Sequence, residues 1–237
     1  MLFVAVFLPL TVALGFWQLD RAGEKREILA EQERQQQLAP LNQSDWQASK
    51  GNHLRRVSLS VELDSTRQLL LANRTLEGRV GYEVMSLARV DGSSTDKALL
   101  LINRGWVPAS LDRAELPETS TPSGIQLVQG YYYCPEPNSL IRQSTEFDGN
   151  WPAVIYSLDE AAMELIFESD EKPLACEIRI DQFSPLAFVA DWQIVNQSVQ
   201  KHIGYAVQWF SMAFALIILA LFSNSNLGLF FRREKAE

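Results

Sequence analysis

Lys201-His202-Ile203-Gly204-Tyr205-Ala206-Val207-Gln208-Trp209-Phe210-Ser211-Met212-Ala213-Phe214-Ala215-Leu216-Ile217-Ile218-Leu219-Ala220-Leu221-Phe222 is the stretch that decides the fold class. From Ile203 onward it is long and apolar enough to cross a bilayer at about 1.5 Å of rise per residue. Tyr205, Trp209 and Phe210 crowd one end, where an aromatic belt is expected, and Arg232, Arg233 and Lys235 follow the other. Length and flanks favour a spanning helix over a buried core helix. A second apolar stretch, Met1 to Leu19, has Pro9 in its middle and ends in Leu14-Gly15-Phe16-Trp17-Gln18-Leu19-Asp20-Arg21. The rival reading is a cleaved signal peptide. The run is longer than a usual signal core, however, and Ala13-Leu14-Gly15 makes a poor cleavage site, so a retained anchor is expected. No basic stretch precedes it, which points to a start upstream of Met1. Two spans place both termini on one side of the membrane. The basic tail votes for termini inside, whereas Arg21, Lys25 and Arg26 vote the other way, so charge alone leaves the orientation open.

Between the spans the period changes. Asp20 to Leu38 is rich in Glu, Gln, Arg and Lys and reads as a solvated continuation of the first helix, ended by Pro40. Val57, Leu59, Val61 and Leu63 alternate with polar residues, as in a half-buried strand. Further strands are expected at Gln68–Arg74, Val80–Val90, Ala98–Val107 and Ile125–Tyr133, with shorter ones at Ala153–Leu158, Ala175–Ile180 and Ala187–Val189. Turns are expected at Thr75-Leu76-Glu77-Gly78 and Asp91-Gly92-Ser93, and a short helix over Asp159–Glu168. The expected fold is an α+β membrane protein: two transmembrane helices flank a mostly antiparallel, small barrel-like β domain with one or two helices. The boundaries are residues 1–19 for the first span, 20–40 for its helical extension, 41–200 for the β-rich domain, 201–223 for the second span and 224–237 for a tail.

The 237 residues carry 29 Asp and Glu against 21 Lys and Arg, a formal charge of -8. That argues against nucleic acid, which needs a cationic face, and against a domain lying broadly on anionic lipid. Cys134 and Cys176 form no closely spaced pair, so neither a structural zinc site nor a copper carrier is expected. In an oxidising compartment they can form a disulfide; otherwise they are two unrelated thiols. No G-x-S-x-G, G-x-G-x-x-G, Walker A or H-E-x-x-H motif occurs. His53 lies in a polar loop and reads as a surface residue. With no catalytic constellation, the chain is not expected to be an enzyme.

Two places remain. Arg104 and Trp106, in Asn103-Arg104-Gly105-Trp106-Val107-Pro108, are expected on one face of a strand, where Arg stacked on Trp and paired to a carboxylate is the ordinary reading. An anion or partner site is the sharper one. At the second span, His202, Tyr205, Ala206, Trp209 and Ala213 form one helical stripe with a nitrogen donor, two aromatic faces and two small residues. An imidazole at a membrane surface is partly soluble there and need have no function, which is the ordinary reading; the sharper one is that such a surface suits a flat, iron-bearing macrocycle, with Arg21, Lys25 and Lys201 near its carboxylate arms. The opposite face, Gly204, Gln208, Ser211 and Ala215, is expected to pack against Ala5, Val12 and Gly15 of the first span.

The order of Leu14–Arg21, Asn103–Pro108 and His202-Ile203-Gly204-Tyr205-Ala206-Val207-Gln208-Trp209-Phe210, between two anchors, resembles the surfeit-locus family of cytochrome c oxidase assembly factors, bacterial type. Leu70-Leu71-Ala72-Asn73-Arg74 and Gly78-Arg79-Val80-Gly81-Tyr82 support the likeness. The resemblance implies a multi-pass protein of the bacterial inner membrane with its middle domain in the periplasm and both termini cytoplasmic. It implies non-enzymatic help in placing haem a in the oxidase's large subunit, with the haem a synthesis machinery as a further partner besides membrane lipid. By the same resemblance His202 is the expected axial ligand to the haem iron, and Tyr205, Trp209 and Arg21 the expected residues around the cofactor. Trp17, Gln18, Arg104, Gly105 and Trp106 become motif or partner residues. The rival readings are a scaffold that never touches haem and a membrane-tethered ligand-binding domain.

Overall fold

The computed structural model describes residues 2–91, 99–112, 115–135, 145–168, 171–192 and 198–224. The turn expected at Gly92-Ser93 and the basic tail with Arg232, Arg233 and Lys235 fall outside them. The chain divides into two units, Met1–Gln32 with Gln193–Glu237, and Glu33–Trp192.

The first unit is built on helix α1, Leu2–Gln37, and helix α3, Val199–Asn224. At about 1.5 Å per residue, the 36 residues of α1 extend well beyond a hydrocarbon core of about 30 Å, so its charged second half continues past the apolar one without a break. Both helices are long and apolar enough to cross a membrane, and only 17% and 11% of their apolar windows are buried. Phe3, Phe7, Leu10, Phe214, Ile217 and Phe222 stand open on them. Helices so little covered are not the core helices of a water-soluble fold; they are consistent with a membrane protein.

The second unit is a six-stranded mixed sheet with one helix. Its elements are β1 (Arg56–Leu76), β2 (Arg79–Val90), β3 (Leu100–Pro108), β4 (Ile125–Tyr133), β5 (Ala153–Ile155), α2 (Glu160–Ile166) and β6 (Glu177–Ile180). Strand β1 is the hub: it pairs antiparallel with β2 and β4 and parallel with β5. The pairings β1–β2, β2–β3, β3–β6, β6–β4 and β4–β1 follow one another in a closed circuit. Among the described residues, four of the six pairings are antiparallel, as expected, and β1–β5 and β3–β6 are parallel, so the sheet is mixed.

Two strands expected in the first half of the domain are one. Between Leu63 and Gln68, β1 advances five residues while its partner β2 goes only from Ala88 to Ser86. Asp64 makes the kink: its carboxylate accepts the backbone N–H groups of Thr66 and Arg67 at 2.8 and 3.1 Å and the Arg67 guanidinium at 2.7 Å. Burial opposes that charge, but these hydrogen bonds outweigh it and hold the Asp64 carboxyl down to about 2. The three extra residues are an odd number, so the faces exchange. Before the kink Val57, Leu59 and Val61 join one core with Ile102, Val128, Ile178 and Ile180. After it Leu69 and Leu71 join another, with Met85, Leu87, Leu101 and α2's Met163. Asp159 caps α2, accepting the Ala162 N–H at 2.9 Å. The turn after β1 uses Glu77 and Gly78, both at positive φ, as a tight hairpin requires. Ala187–Val189 is not a strand but a single bridge, Val189 opposite Trp106.

Candidate functional site

The paired terminal helices hold the first candidate site. On α1 the covered or half-covered positions include Val4, Leu8, Thr11, Gly15, Gln18, Ala22 and Lys25, a run in steps of four and three, with Val12, Leu14, Arg21 and Gly23 half-covered beside it. On α3 they include His202, Ala206, Trp209, Ala213, Leu216 and Ala220, with the same steps. A repeat of about 3.5 residues is what two helices show when they interlock along one seam. The contacts run antiparallel: the Phe16 and Phe210 rings meet edge to face at 5.3 Å, and His202 meets Gln18 one turn further along α1. Gly15 is the notch that admits Phe210, since a Cβ there would lie 2.6 Å from that ring.

His202 sits in this seam, 8% exposed, with its Nδ1 2.7 Å from Gln18 Oε1. The expected division of α3 into faces is corrected here. His202, Ala206 and Ala213 turn towards α1, while Gly204, Gln208, Ser211 and Ala215, expected to pack, are exposed. Of their expected partners, Gly15 is buried, Val12 is half-buried and Ala5 is exposed. Lipid makes this natural: an apolar helix face gains little by hiding from hydrocarbon, and the polar pair gains a hydrogen bond by meeting. Tyr205 is 47% exposed, Trp209 half-buried and Trp17 exposed, so these rings border the seam rather than fill it. Arg21 is ion-paired with Glu24 on its own helix. Imidazole is a suitable axial donor for haem iron, and among the described residues His202 Nε2 has no hydrogen-bond partner, so the donor chemistry fits. The five-residue stripe does not fit as one flat platform, because its two alanines are covered by α1.

The second candidate lies in the β domain. Arg104 and Gly105 together oppose Val84, between the pairs Met85–Asn103 and Glu83–Trp106. This bulge breaks the alternation, so Arg104 and Trp106 do not stack as expected. Arg104 is buried over the Phe188 ring at 4.6 Å, and it donates to the Leu186 and Ser120 carbonyls at 2.8 Å each. The ordinary reading of it paired to a carboxylate is corrected, since it donates to backbone oxygens instead. Burial pushes its guanidinium below its usual range. Trp106 instead donates its indole N–H to the Arg74 carbonyl at 3.0 Å and packs over Gly81, where a Cβ would meet its ring at 2.5 Å. Gly105 has φ +110, and a Cβ there would lie 2.7 Å from the Val189 carbonyl oxygen.

Beside the bulge is a polar cluster that sequence reading missed. Asn103 donates to Glu83 at 2.7 Å and Glu177 at 2.9 Å, and its side-chain oxygen accepts the Gly105 N–H at 3.1 Å. Arg179 donates to Glu177 at 2.6 Å and lies 3.6 Å from the centre of the Tyr133 ring. Burial first, and Glu177 second, push the Glu83 carboxyl above its ordinary range. Three motif segments, Leu70–Arg74, Gly78–Tyr82 and Asn103–Pro108, thus meet in one structural knot. The signal that could have found it is the pair Gly81 and Gly105, needed for close approach.

Cys134 and Cys176 are joined in a disulfide that ties the end of β4 to the start of β6. His53, expected at the surface, is half-buried: its Nδ1 accepts the Cys134 N–H at 3.0 Å and its ring lies 5.2 Å from that of Tyr133.

A family model described as the SURF1 family matches residues 5–214. A curated protein called SURF1-like protein, from Rickettsia felis, is 21% identical over 231 residues, which span 95% of this chain and 96% of that one.

Proposed function

The chain belongs to the SURF1 family, and from that premise we propose that it is an inner-membrane assembly factor for cytochrome c oxidase that handles haem a on its way to the large catalytic subunit. The observation that carries this is the match across residues 5–214, which takes in both terminal helices and the β domain between them. The closed circuit of strand pairings supports reading the middle domain as a small barrel-like body. The disulfide supports the orientation that charge left open. Disulfides persist in oxidising compartments, which favours a periplasmic middle domain and cytoplasmic termini.

In this reading His202 would hold the haem through Nε2, with Tyr205 and Trp209 as neighbouring aromatic groups. Bound haem would supply an iron centre open to axial nitrogen. The chain's own part is to hold the cofactor at the membrane boundary and release it; it makes and breaks no covalent bond, so the role is that of a chaperone rather than an enzyme. Arg21 reaches a carboxylate arm only by leaving Glu24, an exchange between exposed partners that costs little.

A second reading, a scaffold gripping the oxidase subunit without haem, draws support from the alanines being packed against α1. The two separate in one experiment. The full chain is expressed beside a haem a synthesis pathway, purified in detergent and examined by absorption spectroscopy. A haem band that His202→Ala abolishes is expected. Co-purification of the large subunit with no pigment on the chain would overturn the haem part and leave the scaffold. Undiminished oxidase assembly in cells lacking the protein would overturn both.

A further inference from the structure

We propose that Gln18 is a positioning residue for His202: it fixes the imidazole as the Nδ1–H tautomer and so keeps the lone pair on Nε2. The contact is Nδ1 to Gln18 Oε1 at 2.7 Å. Gln18 turns its carbonyl oxygen, rather than its amide nitrogen, to the ring; an oxygen only accepts, so in this arrangement the ring nitrogen facing it donates. In a neutral imidazole the proton on one nitrogen leaves the other as acceptor or metal donor. Metal-ligating histidines are held in this way by a partner on their second nitrogen, which sets both the tautomer and the ring orientation.

Three observations separate this from a polar contact of no consequence. His202 is 8% exposed and lies in an otherwise largely apolar seam, where an ungoverned ring could turn over. Gln18 comes from the other helix, at the seam position one step beyond Gly15, and Phe210 in the Gly15 notch fixes the register that brings the two together. Nε2, the nitrogen left over, has no partner among the described residues. A pair that served only to bind helices would use either nitrogen equally well. The consequence for haem rests on the reading proposed above; the tautomer itself does not.

The test uses the full chain in lipid nanodiscs, labelled with 15N-histidine and without haem, at about pH 8, where an imidazole is ordinarily neutral. His53→Asn identifies which signals belong to His202. A protonated Nδ1 and an unprotonated Nε2 are expected in the parent protein and in Gln18→Glu, whose carboxylate also accepts. Gln18→Leu is expected to lose that preference. Finding Nε2–H in the parent, or the same shifts in Gln18→Leu, overturns the proposal. A second arm titrates haem. Gln18→Leu is expected to weaken binding about 10-fold to 100-fold, with Gln18→Glu restoring it. Equal binding and an identical spectrum in all three proteins would overturn the positioning role. If the parent shows the Nδ1–H tautomer yet takes up no haem, the tautomer assignment stands and the haem reading falls.

Discussion

The knot around Asn103 and the pair His202–Gln18 are both polar groups withdrawn from water, yet they are finished differently. Asn103 commits both side-chain protons and its oxygen, Trp106 its indole N–H, and Arg104 meets two carbonyls and an aromatic ring. His202 engages one nitrogen and, among the described residues, leaves the other. Buried polar groups that are fully used rigidify a fold, and a group left over in a place otherwise built tightly is where a guest can bind. The motif residues therefore divide into two kinds. Arg104, Gly105 and Trp106 are engaged within the fold, whereas in the reading proposed above Gln18 and His202 frame a nitrogen kept for a guest.

If that division is right, damage to the β domain costs folding and damage to the seam costs binding. The largest effect is expected from Cys134→Ser. The disulfide closes a sequence separation of 42 residues, and losing that constraint costs about 4 kcal/mol by loop entropy. Thermal unfolding of the full chain in detergent, with and without reductant, measures it. An identical midpoint in both conditions would remove the disulfide from the closed architecture.

Asn103→Ala comes next, at about 3 kcal/mol, because it strips a donor from the buried Glu177 carboxylate and one from the half-buried Glu83 carboxylate. Its pH dependence sharpens the comparison. Glu83 is pushed up in the folded state, so the folded protein binds more protons than the unfolded one as pH rises from 4.5 towards the raised value. Stability therefore falls across that window, and Asn103→Ala, removing a donor that favours the charge, steepens the fall. Glu83→Gln flattens it. A Glu83→Gln profile that still falls in parallel with the parent would place the titration elsewhere.

Much of the fold was legible because strands announce themselves by alternation. Ile125–Tyr133 is β4 to the residue, and the Glu77-Gly78 turn stands where its turn residues put it. What escaped was parity. The kink at Asp64 changes which face Leu69 and Leu71 serve, and the bulge at Gly105 separates Arg104 from Trp106; an odd number of extra residues undoes a period-two rule. The faces of α3 escaped for another reason. Alanine at 206 and 213 and glycine at 204 are equally content against lipid or a neighbouring helix, so helical periodicity names a stripe without saying what it meets. The knot was illegible because Glu83, Asn103, Glu177 and Arg179 come from three strands whose register no local pattern fixes. His202 and Gln18 were each singled out, but their meeting depends on the Gly15 notch.

The smallest effect on stability is expected at the seam, and its smallness is the point. Interhelical polar contacts in membrane proteins average about 0.6 kcal/mol, because separated helices also find partners. Replacing the pair by Gln18→Leu with His202→Leu leaves no orphaned polar atom and keeps the 3.5-residue repeat apolar. The double variant is thus expected to unfold within about 1 kcal/mol of the parent, far closer than Asn103→Ala, while taking up no haem. Gln18→Leu alone should be the less stable protein, since it leaves the His202 Nδ1–H without its acceptor. Scanning fluorimetry of the parent, both single variants and the double variant reads the coupling directly. A double variant as damaged as Asn103→Ala would make the pair a structural keystone like the knot, and the distinction between closed and open polar sites in this molecule would collapse.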